Sequence, residues 1–363
     1  MERIFKLCNG DRLTCTEQAA VFQFSGPRMV LSTGASGGGM RDDLTAAFNY
    51  CDCGMAGVCQ PMQGNNLWEH QRAVARRLGL DPDHTTGLDT AANLDNMVVI
   101  TKRWEDLQIT AAVSGGADVN ALCAGDPAFL TEADGAPTSV PPGTINIFLI
   151  TDRPLAPGTM AELILTATEA KTAVLRDLMQ GSSISRELAT GTGTDGMVII
   201  CGTGQEGMLL NAGKHFKFGE LAAQAVREAV TEALFRQTGF CAQEQHTVLR
   251  RLHRFGITAD TLSAYCLARR PGQDAAIART IKKLDQDAFL VGAVVLYVHL
   301  EDQRRAGMLT ELEAGDWGEH LLRQVQQHYR CDLPLLQEAA LMDKLEHFLC
   351  QLRNIRAVKR ILN

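Results

Sequence analysis

Apolar positions along this chain follow two rhythms, and the change between them falls near residue 240. Before it they come in short β-branched runs punctuated by Gly, Pro, Asn, Asp and Ser, a pattern that predicts strands and turns. Residues 19–24 and 29–33 read as short strands around a Ser-Gly-Pro turn. Residues 96–101 and 107–114 read as a hairpin joined through 102–106. The run Thr-Ile-Asn-Ile-Phe-Leu-Ile-Thr at 144–151 predicts a central strand, and residues 197–201 a second buried one. Three segments carry helical spacing instead. They are 68–78, closing at Gly79; 157–179, with Pro157 in its first turn and Gly181 beyond its end; and 218–235.

After residue 240 only the helical period remains. Val248-Leu249-Leu252, Leu262-Tyr265-Cys266, Leu321-Leu322-Val325 and Leu341-Leu345-Phe348-Leu349-Leu352 each mark one apolar stripe. His320, His328 and His347 stand among charged residues, as on solvated helix faces. Composition moves with the rhythm: 27 of 33 glycines and nine of eleven prolines precede residue 241, and net charge goes from −9 before it to +2 after. The expected architecture is α+β, a mixed and largely antiparallel sheet layered with helices, followed by an all-helical C-terminal bundle. The expected domains are 1–238 and 239–363, joined near Gln237–Phe240.

Composition narrows the function. A chain of 363 residues, 45% apolar, can bury a full core, and a net charge of −7 disfavours a nucleic-acid backbone as partner. No signal-peptide core opens the chain, and the apolar run at 288–298 is too short to span a bilayer. Eleven scattered cysteines, an odd number, predict reduced thiols in a cytoplasmic protein. Self-association into a homo-oligomer is compatible with all of this.

The densest candidate chemistry lies at 189–220. Gly191, Gly193 and Gly196 alternate with Thr190, Thr192 and Thr194, Asp195 stands at a strand entrance, and His215 and Glu220 follow the strand. A phosphate cradle, an oxyanion-binding loop and a plain hairpin connection all fit such a loop. A Walker-type phosphate site is disfavoured, since no lysine follows and a strand stands where a helix is needed. His70, His84 and His215, the only histidines before residue 241, show no zinc array. Cys51, Cys53 and Cys59, with or without Cys123, lack the Cys-x-x-Cys knuckle of a metal or iron-sulfur site. His84 lies in a near match to Asp-x-His-x-x-Gly, with Pro82 at the aspartate position, and a turn accounts for it.

Read together, several loops resemble the adenosylcobinamide amidohydrolases of corrinoid salvage, over about residues 20–237. The segments are Leu31-Ser-Thr-Gly-Ala-Ser-Gly-Gly-Gly39 with Asn49, Ile109-Thr-Ala-Ala-Val-Ser114, Asn120-Ala-Leu-Cys-Ala-Gly-Asp126 and Gly143-Thr-Ile-Asn-Ile147. Ala167-Thr-Glu-Ala-Lys171, Ala189-Thr-Gly-Thr-Gly-Thr-Asp195 and Gly213-Lys-His-Phe-Lys-Phe-Gly-Glu220 complete them in order. The chain departs from the family at Ser36-Gly37-Gly38, where Asn-Gly-Gly is usual, and residues 241–363 lie outside the resemblance.

The resemblance implies hydrolysis of the amide between the corrin propionate and aminopropanol, giving adenosylcobyric acid. No resident cofactor or metal is implied; cobalt enters only within the corrinoid substrate. His215 is the expected acid–base group, oriented by Glu220, and Asp195 would position His215 or a water. Residues 197–201 are expected to bring His215 towards that loop, whose N–H groups would hold the oxyanion. Glu169 is a further catalytic candidate on the resemblance alone, since an exposed helix glutamate fits it equally. Gly38, Gly39, Asn49, Asn120, Asp126, Asn146, Thr192 and Thr194 would bind a substrate rich in carboxamides. Asp126, before Pro127, also suits a turn. A non-catalytic corrinoid carrier or sensor is the rival reading.

Overall fold

Alternation inside three strands decides the layering of the first 241 residues. In β11 (Ile145–Pro154), Ile145, Ile147 and Leu149 enter one apolar cluster, whereas Phe148 and Ile150 enter another. The strands β9 (Leu107–Gly115) and β13 (Gly196–Gly202) divide the same way, with Ile109, Ala111, Val113, Ile199 and Cys201 on one face and Ala112, Val198 and Ile200 on the other. A strand buried on both faces needs a cover on each side.

A computed structural model supplies those covers; it describes residues 2–53, 61–128, 130, 142–267, 274–331, 335 and 340–352. Helices α2 (Pro157–Asp177) and α3 (Lys217–Thr238) cover one face. The other face meets a second sheet, with Phe22 stacked on Phe148 at a centroid separation of 4.3 Å. That second sheet is covered in turn by α1 (Leu67–Arg77), whose Val74 and Ala75 pack with Ala19, Phe48 and Tyr50. The result is four layers, helix, sheet, sheet, helix pair.

The outer sheet has the order β1 (Arg3–Lys6), β2 (Arg12–Cys15), β3 (Ala19–Gln23), β6 (Ala46–Cys51), β7 (Thr85–Thr90). The central sheet runs β5 (Gly39–Arg41), β4 (Met29–Ser32), β13, β11, β9, β8 (Val98–Trp104). Neighbours are antiparallel except β6–β7 and β11–β13, and each parallel pair is joined by a crossover helix, α1 and α2 respectively. A short ribbon pairs β10 (Ala121–Leu122) with β12 (Gly191–Thr192).

The elements α1 and β13 match the sequence pattern to within a residue, and β11 starts one residue late and runs three further, to Pro154. The helix expected at 157–179 ends at Asp177, and Met179, not Gly181, takes the left-handed turn (φ 54°). The strands flanking the Ser-Gly-Pro turn do not pair: β3 belongs to the outer sheet and β4 to the central one. Arg28 and Asp11 hold that crossing, through Nε to Oδ2 at 2.8 Å and Nη2 to Oδ1 at 2.7 Å, both side chains buried. The strands β1, β2, β6 and β7 stand outside the expected elements; β2, RLTC, alternates, whereas β6, AAFNYC, is buried throughout.

The chain divides into two compact units, Met1–Cys241 and Ala242–Asn363. The second is helical, with α4 (Val248–Leu252), α5 (Ala259–Leu267), α6 (Asp274–Asp285), α7 (Ala288–Arg305), α8 (Glu311–His328) and α9 (Leu341–Leu352). Leu252, Val294, Tyr297, Leu322, Val325, Leu345 and Phe348 form a core of its own. A chain ending at Cys241 is therefore expected to stay soluble and to melt in one cooperative transition, which circular dichroism can follow. Aggregation of that fragment would show that its apolar surface needs the helical unit.

Candidate functional site

One carboxylate organises the Gly-Thr loop. Asp195 Oδ1 accepts from the Ile145 N–H at 3.0 Å and from the Thr192 hydroxyl at 2.6 Å. Its Oδ2 accepts from the Thr192 N–H at 3.0 Å and pairs with the ammonium of Lys171. Lys171 reaches it because α2 buries Leu163, Ala167, Ala170 and Val174, and position 171 falls on that stripe. The glycines make room: a Cβ at Gly191 would run into Asp195 and Lys171, and one at Gly196 would lie 2.8–2.9 Å from Leu88 and the Asn146 amide oxygen.

Behind the loop, polar side chains meet between the two sheets. Asn146 Nδ2 donates to Asn49 Oδ1 and to the Asp89 carbonyl, both at 2.9 Å, and Asn49 Nδ2 donates to Ser114 Oγ at 2.8 Å. Thr144 Oγ1 donates to the Thr194 carbonyl at 2.7 Å. Asn120 donates to the Gly143 carbonyl at 2.8 Å, and its own carbonyl accepts from the Gly193 N–H at 3.2 Å. Ser32 and Thr86 share a bond of 2.7 Å across the sheets, and Ser32 Oγ also accepts from the Gly34 N–H at 3.0 Å. Buried amides satisfied in this way rigidify a site.

The network continues into a titratable cluster that the sequence reading did not assign. Gln71 Nε2 donates to Asp89 Oδ2 at 2.6 Å, and Gln71 Oε1 accepts from the Ser36 N–H at 2.8 Å, in the glycine-rich loop 34–39. His70, buried on α1, has Nε2 2.9 Å from Asp52 Oδ1 and 3.6 Å from Asp89 Oδ1. Burial, with the Asp52 charge second, raises the Asp89 carboxyl from 3.8 to about 7. Asp89 Oδ1 is buried without a hydrogen-bond partner. The bond to Asp52 raises His70, while the Gln63 N–H, 2.9 Å from Nδ1, opposes a proton on that nitrogen. The signal that could have found His70 and Gln71 was helical periodicity, since they share the buried stripe with Val74 and Ala75. Asp89 gave none, because Thr-Thr-Gly-Leu-Asp-Thr does not read as a strand.

The expected site residues fall into two groups. Asp195, Thr192, Thr194, Asn120, Asn146 and Asn49 come together at the starts of β11 and β13. Gly38 lies in the loop after β4, its position packed against the carbonyls of Gly34 and Ser32. Gly39 opens β5 at φ +82°. Asp126 stands further along the β10 loop, accepting from the Cys123 N–H at 2.7 Å and the Ser182 hydroxyl at 2.6 Å, a turn arrangement.

His215, Glu220 and Glu169 lie apart. His215 lies beyond the end of β13 at Gly202, on a segment that returns along α2 through the Thr166–Ala212 and Glu169–Lys214 contacts, and no hydrogen bond or ion pair among the described residues ties it to Asp195. His215 is exposed, Glu220 pairs with Lys217 at 2.6 Å, and Glu169 is exposed and paired with Lys214. The inward-facing member of Thr-Glu-Ala-Lys is Lys171. The oxyanion expectation changes too: the N–H groups of Thr192, Gly193 and Thr194 all point at acceptors within the fold, so the loop is not an open donor cradle. His84 is exposed with Nδ1 2.8 Å from Asp81. Cys53 is disulfide-bonded, a departure from the all-thiol expectation that removes it from a thiolate set. Cys51 donates to the Cys53 carbonyl at 3.0 Å, and Cys59 lies outside the described residues.

These features define an α+β protein with a carboxamide-rich polar cluster buried where its two sheets meet. Residues 4–242 match the family described as adenosylcobinamide amidohydrolase, and the chain belongs to that family. It is also 36% identical, over 184 residues, to an uncharacterized protein of Methanocaldococcus jannaschii, covering 48% of this chain and 71% of that one.

The raised Asp89 carboxyl has a consequence for stability. The folded protein holds this proton more tightly than the unfolded chain, so stability falls as pH rises from about 4 to about 7. Asp89→Asn, neutral at every pH, is expected to stabilise the protein at pH 8 by on the order of 1–3 kcal/mol, by less at pH 5, and to change little below about pH 4. Thermal melts across pH check this; equal melting temperatures at pH 8 would contradict it.

Proposed function

We propose that the protein hydrolyses the amide joining the corrin propionate to aminopropanol in adenosylcobinamide, releasing adenosylcobyric acid. Family membership supports the reaction class. The observation that carries the site is the meeting of Asn49, Asn120, Asn146, Thr192 and Thr194 at one end of the central sheet. Asn49, Asn120 and Asn146 are buried and bond to one another and to backbone, so they form the rigid floor of this surface, and Thr192 and Thr194 are its members that reach towards solvent and a substrate bearing carboxamides. Lys171 and Asp195 act as the rigid base of this surface, keeping Thr192 oriented before the substrate arrives. The corrinoid is the small-molecule partner, cobalt enters only as part of it, and the working compartment in this reading is the cytoplasm. Among the described residues no helix is long and apolar enough to cross a membrane.

Purified protein incubated with adenosylcobinamide is expected to release aminopropanol. Tight corrinoid binding without amine release would favour a carrier instead. Lys171→Met, which strands a partly buried carboxylate, is expected to lower kcat/KM by roughly tenfold or more. His215→Ala, at an exposed side chain without a bond to this surface, is expected to keep activity within about twofold of the parent. A large loss with His215→Ala and none with Lys171→Met would move the site to His215.

A further inference from the structure

We propose that Asp89 is the proton-transfer group of this hydrolytic site, with His70, Asp52 and Gln71 as the residues that position it. The assignment rests on the hydrolase reading and adds the group that reading lacks. Hydrolysis needs an acceptor for a proton of the attacking water. Asp195 cannot serve: four donors converge on its two oxygens. Asp89 Oδ1, by contrast, is a buried carboxylate oxygen with no hydrogen-bond partner, an arrangement that calls for a water, a proton or an ion. It also belongs to the polar cluster itself. The Asp89 carbonyl holds Asn146 at 2.9 Å, and its carboxylate reaches the Ser36 N–H of loop 34–39 through Gln71.

The spacing of Asp52, His70 and Asp89 also suits a metal ion, with ligand atoms within 4.8 Å of one another. The ring tautomer argues otherwise. Nδ1 faces the Gln63 N–H at 2.9 Å and must accept, so the proton of the neutral ring sits on Nε2, the atom a metal would need. Nε2–H then donates to Asp52 and lies near Asp89 Oδ1, and the cluster holds protons rather than a cation. The groups facing Asp89 are Asp52 from the segment after β6, His70 and Gln71 from α1, and the neutral amide Asn146 from β11; Arg77 of α1 acts on His70 and is bonded to the Tyr50 hydroxyl.

In the reaction the water oxygen bonds to the amide carbon as Asp89 takes one of its protons. The carbon–nitrogen bond then breaks, and Asp89 returns that proton to the leaving nitrogen. The products are a carboxylic acid and an amine, so atoms and charge balance. A carboxyl raised to about 7 is matched to this duty near neutral pH, and the base form is lost as pH falls through that value.

The test follows kcat/KM for adenosylcobinamide against pH, alongside carbon-13 NMR titration of the aspartate carboxyls, in the full-length protein. The parent is expected to lose activity on an acid limb near pH 7, with one carboxyl titrating there. Asp89→Asn is expected to remove that resonance and lower kcat/KM roughly a hundredfold with the fold retained. Asp52→Asn withdraws a charge that raises Asp89, so limb and resonance are expected to move together to lower pH. Activity of Asp89→Asn at the parent rate with an unchanged limb would overturn this assignment alone. So would zinc that survives dialysis of the parent protein but is lost from His70→Ala. Absence of aminopropanol with the parent protein would overturn the hydrolase reading whatever the carboxyl does.

Discussion

The carboxylate of Asp195 is the constraint on which the rest of the site depends. It ties together the first backbone N–H of β11, the Gly-Thr loop before β13 and the ammonium of α2. Lys171 and Asp195 are largely withdrawn from water, with side-chain exposures of 9% and 18%, so the Coulombic attraction acts in a poorly screening medium. Desolvation offsets much of that attraction, and the gain lies chiefly in fixed geometry. With Asp195 saturated, Thr192 has one orientation, and the strand starts that carry Thr144 and Asn146 keep their register beside it.

The interface between the sheets is divided. Phe22, Phe148, Val198 and Ile200 make one part apolar, whereas Ser32, Asn49, Thr86, Ser114 and Asn146 make the other part polar. Burying amides between sheets is costly unless each finds a partner, and here they bond mainly to one another and to backbone. Asp89 is the exception. Its unpartnered oxygen and raised carboxyl amount to stability given up at one point, the pattern expected where chemistry rather than packing sets the residue. The glycine-rich loop beside it follows the same logic: Gly37, at φ +66°, lies so close to the Thr85 carbonyl that no side chain fits.

The helical unit keeps its own core and its own polar locks. Tyr329 donates to Asp287 at 2.6 Å, and Arg254 reaches both oxygens of Asp302 at 2.6–2.7 Å. The family match stops at residue 242, where this unit begins, so the hydrolase reading rests on the first unit alone.

The sequence alone determined the strands and helices whose periodicity is local. Residues 144–151 and 197–201 read as buried strands, the tail as helical, and three glycines alternating with threonines singled out one loop without naming its chemistry. Tertiary structure decided the remainder. Period-two alternation says which residues share a face, not what covers that face, so two stacked sheets looked like one. Thr-Glu-Ala-Lys offered two charged residues, and only the packing of α2 turned Lys171 inward and left Glu169 in solvent. His215 and Asp195 are near in sequence terms, yet the four bonds that Asp195 accepts all come from Ile145, Thr192 and Lys171, and His215 stays exposed. Asp89, His70 and Asp52 come from a strand, a helix and the segment after another strand, and only β6–α1–β7 folding as a crossover puts them within reach. Local pattern fixes periodicity over a few residues; contacts between distant segments arise from stacking, which no single stretch encodes.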